Sequence, residues 1–343
     1  MTAAFAGWPA VLTEVAAGRD LDPDLAHAAM EQILAGEATS AQIAGLVIGL
    51  RIKGETVEEL ASLRRAMIEA AEPIVLPPGL EPVDTCGTGG DRSGTINVSS
   101  IAALVLAAGE VPVLKHGNRS QSSQCGSADV YEALGVPVGL GPEEVAASVV
   151  ATGFGFAFAP RFHASMRHAG PTRRELGVPT AFNVLGPIAN PAGVRRQVVG
   201  VADGAMAERM LGVLRASGTT RALVVHGADG LDELTTTTTS TVHELRDGEI
   251  GPATEVDPEA LGIARAAPED LRGGDAEANA ASARRVLAGE PGPHRDIVVL
   301  NAAAGFVVAD RAADLAEGVA LARAAIDDGR AEAKLAEVVA FAP

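Results

Sequence analysis

Residues 99–129 read SSIAALVLAAGEVPVLKHGNRSQSSQCGSAD, and the order of events in this stretch decides the fold class. Ser99–Ala108 has the uncharged, Ala- and Leu-rich composition of a helix, and Val111–Leu114 is a short β-branched run that predicts a strand. The same alternation continues downstream. Strands are expected over Gln197–Val201, Ala222–His226 and Ile297–Leu300, and helices over Pro142–Ala151, Met206–Ala216 and Ala276–Leu287. Strands alternating with helices predict an α/β sheet covered on both faces.

Immediately after the strand, residues 115–129 set Lys115, His116 and Arg119 beside Gly117, Asn118 and four serines. Cations, hydroxyls and unhindered backbone N–H groups are what a bound polyphosphate requires. A merely solvated basic loop would not need Gly117, Asn118, Ser122, Ser123, Gly126 and Ser127 so tightly interleaved. Just upstream, Asp84-Thr-Cys-Gly-Thr-Gly-Gly-Asp91 precedes Asn97-Val-Ser-Ser100. Glycines there let backbone approach a phosphate, and a helix start near Asn97 adds unpaired N–H groups and a positive dipole end. The spacing fits neither a P-loop nor a dinucleotide-binding turn. The two stretches therefore read as phosphate-cradling loops on one face.

Residues 1–75 differ in character and predict helices. Asp22-Pro23 is an N-cap followed by proline at the first helical position, and Gly36 stops that segment. Ile43, Leu46, Val47 and Leu50 form a buried stripe ended by Gly54, and Thr56 with Glu59 forms a capping box for a third helix. Pro77-Pro78-Gly79 marks a boundary. Residues 164–190 turn helical and basic again, with Arg167, His168, Arg173 and Arg174, and predict a return to the helical domain. The expected division is thus 1–75, joined by helices around 164–190, and an α/β domain of 76–163 with 191–343.

The 343 residues carry a formal charge of −17, with 44 acidic and 27 basic side chains. Such a chain repels nucleic acid and anionic membrane at long range, so any anion must be held by concentrated local cations and a metal. No apolar run reaches the ~18–20 residues of a membrane span. Pro9 interrupts the early apolar stretch and no basic start precedes it, so no secretory leader is read. The two cysteines, Cys86 and Cys125, lie inside the phosphate loops, which fits a reducing cytoplasm without a disulfide. At the end of a strand, Asp229, Asp232 and Glu233 in HGADGLDE offer oxygen ligands for Mg²⁺. Arg173 and Arg174 offer a paired contact to a carboxylate, and one of the two is expected to be plain solvated surface.

These ordered motifs, with GEATSAQIAGLVIGLRIKGET, RRELGVPTAFNVLGPIANPA, TVHELRDGEI and LNAAAG, resemble the anthranilate phosphoribosyltransferases over nearly the whole chain. The resemblance implies a small all-helical N-terminal domain, a larger α/β domain of the nucleoside phosphorylase and phosphoribosyltransferase kind, a site at the hinge, and a homodimer formed through the helical domains. It implies that Gly87, Gly90, Asp91, Thr95, Asn97, Val98, Ser99 and Ser100 bind 5-phosphoribosyl 1-pyrophosphate. Lys115, His116, Gly117, Asn118, Arg119, Ser120, Gln121, Ser122, Ser123 and Ser127 would complete that site. Gly87, Asn118 and Arg173 would meet anthranilate. Ser99, Asp232 and Glu233 would hold Mg²⁺, two ions per subunit, while Lys115 and His116 are the candidates for catalytic groups. Ile96, Ala164-Ser165 and the threonine run Thr235–Thr239 depart from the family pattern and touch the anthranilate channel and the loop after Glu233. Two other functions compete with this reading: a pyrimidine nucleoside phosphorylase, which gives no reason for the Leu-Asp-Glu segment, and a nucleic-acid-binding relative, which would need a basic groove.

Overall fold

The structure, a computed structural model, describes residues 5–120 and 124–342. The chain begins with four helices, α1 (Trp8–Ala16), α2 (Pro23–Ala35), α3 (Ser40–Lys53) and α4 (Val57–Glu69). Their ends follow local chemistry. Asp22 accepts from the Asp24 N–H at the start of α2, and Gly36 closes it at φ 78°. Thr56 and Glu59 make the reciprocal capping box of α4. Glu59 also accepts from Lys53 and from the Leu21 N–H, so one buried carboxylate locks three helix ends together.

The larger part runs β1 (Val83–Gly87), α5 (Val98–Ala108), β2 (Val113–Gly117), α6 (Ser127–Leu134), α7 (Pro142–Thr152), β3 (Phe154–Phe158), α8 (Ala159–Phe162), α9 (Gly170–Leu176) and α10 (Ala181–Leu185). It continues with β4 (Arg196–Gly200), α11 (Ala207–Ala216), β5 (Arg221–Gly227), β6 (Ser240–Arg246), β7 (Glu249–Ile250) and β8 (Thr254–Val256). Helices α12 (Ala276–Leu287), α13 (Pro293–Val308), α14 (Leu315–Asp327) and α15 (Arg330–Ala340) complete it. The sheet order is β3-β2-β1-β4-β5-β6-β7, with β8 also paired to β6. The first five strands are parallel and β6 to β8 antiparallel.

Alternation along the strands divides the core in two. Leu223 and Val225 of β5 join α5, α12, α13 and α14 on one face, whereas Ala222 and Val224 join α11 and the N-terminal helices on the other. The small helical domain therefore shares its apolar core with one face of the sheet. Helices α9 and α10 pack on α3 and α4, and Arg64 of α4 donates to the Ile188 carbonyl.

Two expectations need correction. Ile297–Leu300 is not a strand; it lies within α13, where every residue from Ile297 to Val308 is buried. A helix buried on all sides has no polar face, so its 3.6-residue period is invisible and a short Ile-Val-Val-Leu run looks like a strand. The strand expected at Val111–Leu114 is β2, shifted to Val113–Gly117, so Lys115 and His116 belong to the sheet rather than to the loop. The strands β1, β3 and β6 are hard to read from sequence because they carry Asp, Gly or Thr in place of a clear apolar run. Among the described residues no helix is long and apolar enough to cross a membrane.

Candidate active site

The strand order reverses direction between β1 and β4. Their crossover helices, α5 and α11, lie on opposite faces of the sheet. A crevice must open at the carboxyl ends of these strands, the usual place for a ligand in an open parallel sheet. Gly87 and Gly200 are register partners at that edge. A Cβ on Gly87 would collide with the Asp232 carboxylate, and one on Gly200 with the Asp232 backbone. Glycine at both positions is what allows the segment after β5 to close over the switch point.

This closure gathers the predicted acidic pair with both glycine- and serine-rich stretches. Asp232 Oδ2 accepts from the Gly89 N–H at 2.6 Å, and Glu233 Oε1 accepts from the Ser99 N–H at 3.0 Å. Lys115, only 2% exposed, donates to the Thr85 carbonyl and reaches Ser99 Oγ at 3.3 Å. Burial pushes the Asp232 carboxyl up, and the neighbouring Asp91 pushes it further. Burial, then the charge of Asp232, raises Glu233, against the pull of Lys115. Clustered carboxylates that resist ionisation, beside a hydroxyl and facing a crevice, are a hard-oxygen donor set that fits Mg²⁺.

Beneath the pair lies a network within the sheet. Asp84 accepts from the His116 N–H at 3.1 Å and from Asn190 Nδ2 at 2.9 Å, and Asn190 also donates to the Leu114 carbonyl. Burial pushes Asp84 up to about 6, although Lys115 and its hydrogen bonds pull it back. Burial pushes His116 down to about 3, which leaves a neutral ring whose Nε2 has no partner and which packs edge-on against His163. The unfolded chain would bind a proton at this histidine below about pH 6.5 while the folded chain would not. This contribution to stability is therefore lost as pH falls from about 7.5 towards 3. Asp84, raised when folded, acts in the opposite sense between about pH 6 and 4. On moving from pH 8 to pH 5, chemical denaturation should shift the stability of His116→Gln relative to the parent by about 2 kcal/mol in the variant's favour, at 1.36 kcal/mol per pKa unit. An unchanged difference would mean that the His116 ring is not held neutral.

The loop after β2 is braced by acids. Arg119 pairs with Asp129 and Glu132 at 2.8 Å each and lies over Phe158, so its guanidinium is committed to α6 rather than held towards the crevice. Ser127 Oγ links to the Asn118 backbone at 3.2 Å. Asn97 donates to the Cys125 carbonyl and accepts from Asn279, which joins the two loops. Thr95 pairs with Arg272 in an isolated bridge. Gly90 is exposed and Val98 and Ser100 are buried in the first turn of α5. Gln121, Ser122 and Ser123 lie outside the described residues. Cys86 and Cys125 are both buried and not joined in a disulfide. Asp229 does not stand with Asp232 and Glu233: its carboxylate accepts from the Leu231 N–H and from the Thr235 and Thr237 hydroxyls. That bonding folds the threonine run inward, and Thr235 and Thr236 are buried. In α9, Arg173 stacks on Phe182 at 5.1 Å while Arg174 is exposed.

Comparison with known proteins agrees with this arrangement. Residues 9–71 match the family described as glycosyl transferase family, helical bundle domain, and residues 80–332 match glycosyl transferase family, a/b domain. The chain is 48% identical over 325 residues to an anthranilate phosphoribosyltransferase of Azorhizobium caulinodans, covering 95% of this chain and 94% of that one. It is 50% identical over 335 residues to one of Rhodococcus jostii, covering 96% and 91%. The chain belongs to the anthranilate phosphoribosyltransferase family. The crystal structure of an anthranilate phosphoribosyltransferase from Thermus thermophilus superposes with a TM-score of 0.91 at 45% identity, covering 96% of this chain and 98% of that one.

Within this member of the anthranilate phosphoribosyltransferase family, sequence reasoning passed over Asp84, Asn190, Asn279 and Asn301 as individual site residues. Each is a polar side chain in a buried setting: Asp84 among the apolar residues of β1, Asn301 in the middle of α13. A buried polar residue needs a partner. That was the available signal, but the deciding partners stand 32 to 182 positions away.

Proposed function

We propose that the crevice at the β1/β4 switch point transfers the phosphoribosyl group of 5-phosphoribosyl 1-pyrophosphate to the amino group of anthranilate, releasing pyrophosphate. The observation that carries the reading is the convergence of Lys115, Ser99, Asp91, Asp232 and Glu233 around the Gly87–Asp91 loop, in a chain of this family. The amine attacks C1 of the ribose as the C1–O bond to pyrophosphate breaks, with inversion. An aromatic amine beside a carboxylate is a weak nucleophile, so leaving-group departure runs ahead and positive charge builds on the ribose ring. The chain's main tasks are then positioning and stabilising charge on the departing pyrophosphate.

The loops Gly87–Asp91 and Thr95–Ser100 with residues 115–127 would hold the phosphates. Lys115 supplies a buried cation, and the N-terminus of α5, whose Ser99 N–H is already given to Glu233, supplies a positive dipole end. Ser99, Asp232 and Glu233 would hold Mg²⁺, with two ions per subunit expected; a divalent ion there neutralises pyrophosphate charge. His116, a buried neutral ring whose basicity is pushed down by desolvation, is poorly suited to base catalysis. Asn118, Gly87 and Arg173 would meet anthranilate. A homodimer through the helical domain would cover Ile52 of α3, which is 82% exposed, and two cysteines without a disulfide suit a cytoplasmic setting.

Loss of anthranilate fluorescence tests the activity directly. It should occur with 5-phosphoribosyl 1-pyrophosphate and Mg²⁺ and stop in EDTA. No loss, together with phosphorolysis of a pyrimidine nucleoside, would overturn the assignment.

Arg173 and Arg174 give a sharper test of the anthranilate end. Neighbours on a helix point about 100° apart, so only one can line the cleft. Arg173→Ala should raise the anthranilate KM by about 10-fold or more, since a charge-assisted bond contributes about 1.5–3 kcal/mol. The KM for phosphoribosyl pyrophosphate should move little. If Arg174→Ala shows that pattern instead, the assignment is off by one residue.

A further inference from the structure

The LNAAAG segment of α13 has no part in the reading above, yet Asn301 is 3% exposed and reaches the acidic segment after β5. Its Oδ1 accepts from the Leu234 N–H at 2.9 Å and its Nδ2 donates to the Leu234 carbonyl at 2.9 Å. Nδ2 also donates to the Ile297 carbonyl one turn back in α13, at 2.9 Å. One amide thus satisfies both backbone groups of the residue that follows Glu233. The residue before Asp232 is pinned in the same way. The Leu231 N–H donates to Asp229, and its carbonyl accepts from the Gly227 N–H. Asp232 and Glu233 are therefore a two-residue bridge between two leucines whose backbones are fixed on both sides.

We propose that Asn301 is a positioning residue for the divalent metal: it sets the Asp232-Glu233 pair by holding Leu234 and touches neither metal nor substrate. Two adjacent carboxylates of like charge repel, and a free loop would relieve this by turning one outward. With Leu234 held, Glu233 stays under the Ser99 N–H and beside Lys115, and Asp232 stays over Gly87. Partners of this outer kind orient metal ligands, and removing them typically costs 10–100-fold in metal affinity.

The inference rests on the reading of Asp232 and Glu233 as metal ligands, and the experiment keeps the two apart. The probe is Mn²⁺, followed by water-proton relaxation with 5-phosphoribosyl 1-pyrophosphate present and anthranilate absent, so that no turnover contributes. Asn301→Ser is the informative variant. A serine in a helix can still bond the carbonyl four residues back, which preserves the contact to Ile297, but it cannot grip Leu234 from both sides. Val299→Ala, a buried change in the same helix, controls for lost packing. Asp232→Asn with Glu233→Gln reports on the ligands themselves.

Asn301→Ser should weaken Mn²⁺ binding by about 10-fold or more, with the anthranilate KM near normal and Val299→Ala close to the parent at a similar loss of Tm. Parent-like Mn²⁺ affinity in Asn301→Ser, with binding lost in the double carboxylate variant, would overturn the positioning role. So would an equal weakening in Val299→Ala. Mn²⁺ affinity unchanged in the double carboxylate variant would instead overturn the metal reading beneath it.

Discussion

Replacing Lys115 with methionine should lower kcat by about 10²–10³-fold and weaken capture of 5-phosphoribosyl 1-pyrophosphate. The figure is the loss of ~2–4 kcal/mol expected for one preorganised group that stabilises charge in the transition state. Methionine keeps most of the apolar stem and deletes only the cation. Negative charge accumulates on the pyrophosphate as the C1–O bond breaks, so the contact strengthens on the way to the transition state, and its loss slows the chemical step as well as binding. The lysine is buried in the middle of β2, anchored on the Thr85 carbonyl and near Ser99, and it pulls Asp84 and Glu233 towards their ionised forms. Its removal should therefore also raise the Mg²⁺ concentration needed for half-maximal rate. Steady-state kinetics at two ionic strengths decides the matter: a near-normal kcat with only a salt-dependent change in capture would mean that Lys115 merely attracts substrate.

Asp232→Asn combined with Glu233→Gln should remove most turnover at ordinary Mg²⁺ while leaving the fold intact. Both carboxyls resist ionisation because they are desolvated and crowded, Asp232 by Asp91 and Glu233 by Asp232. Neutral amides of the same shape relieve that crowding, so Tm should not fall. The Gly89 and Ser99 N–H groups keep an oxygen acceptor in each variant side chain. What disappears is the pair of anionic oxygens for a hard cation, and kcat/KM should drop by about 10²-fold or more, the scale of one lost electrostatic stabiliser. High Mg²⁺ should restore part of the rate. Full activity of the double variant in EDTA would exclude the pair as metal ligands.

How much of this was legible in the sequence depended on how local the cause was. The helix starts at Asp22 and Thr56, the stops at Gly36 and Gly54, and α12 from Ala276 to Leu287 are dictated by capping and periodicity within a few residues. The two stretches proposed to cradle phosphate stood out for the same reason, because their glycines, serines and cations lie side by side. Family resemblance narrowed the acidic run to Asp232 and Glu233 and chose Arg173 over Arg174. Where burial removes the pattern, local reading fails: Ile297–Leu300 looked like a strand because α13 has no solvent face over that stretch.

Tertiary structure alone decided which of several similar side chains share a place. Asp229 and Asp232 are three residues apart in one acidic run, yet the first is consumed by Thr235 and Thr237 and the second closes over Gly87 and Gly200. Arg119 sits in the serine-rich stretch proposed to cradle phosphate but is spent on Asp129 and Glu132. Asn301 and Asp84 acquire their roles from Leu234, His116 and Asn190, which only the packing of α13 and the pairing of β1 with its neighbours bring within reach. Sequence fixes the repertoire of hydrogen-bonding groups. Which groups remain available in the crevice depends on which others are satisfied first, and that is settled by contacts between residues far apart in the chain.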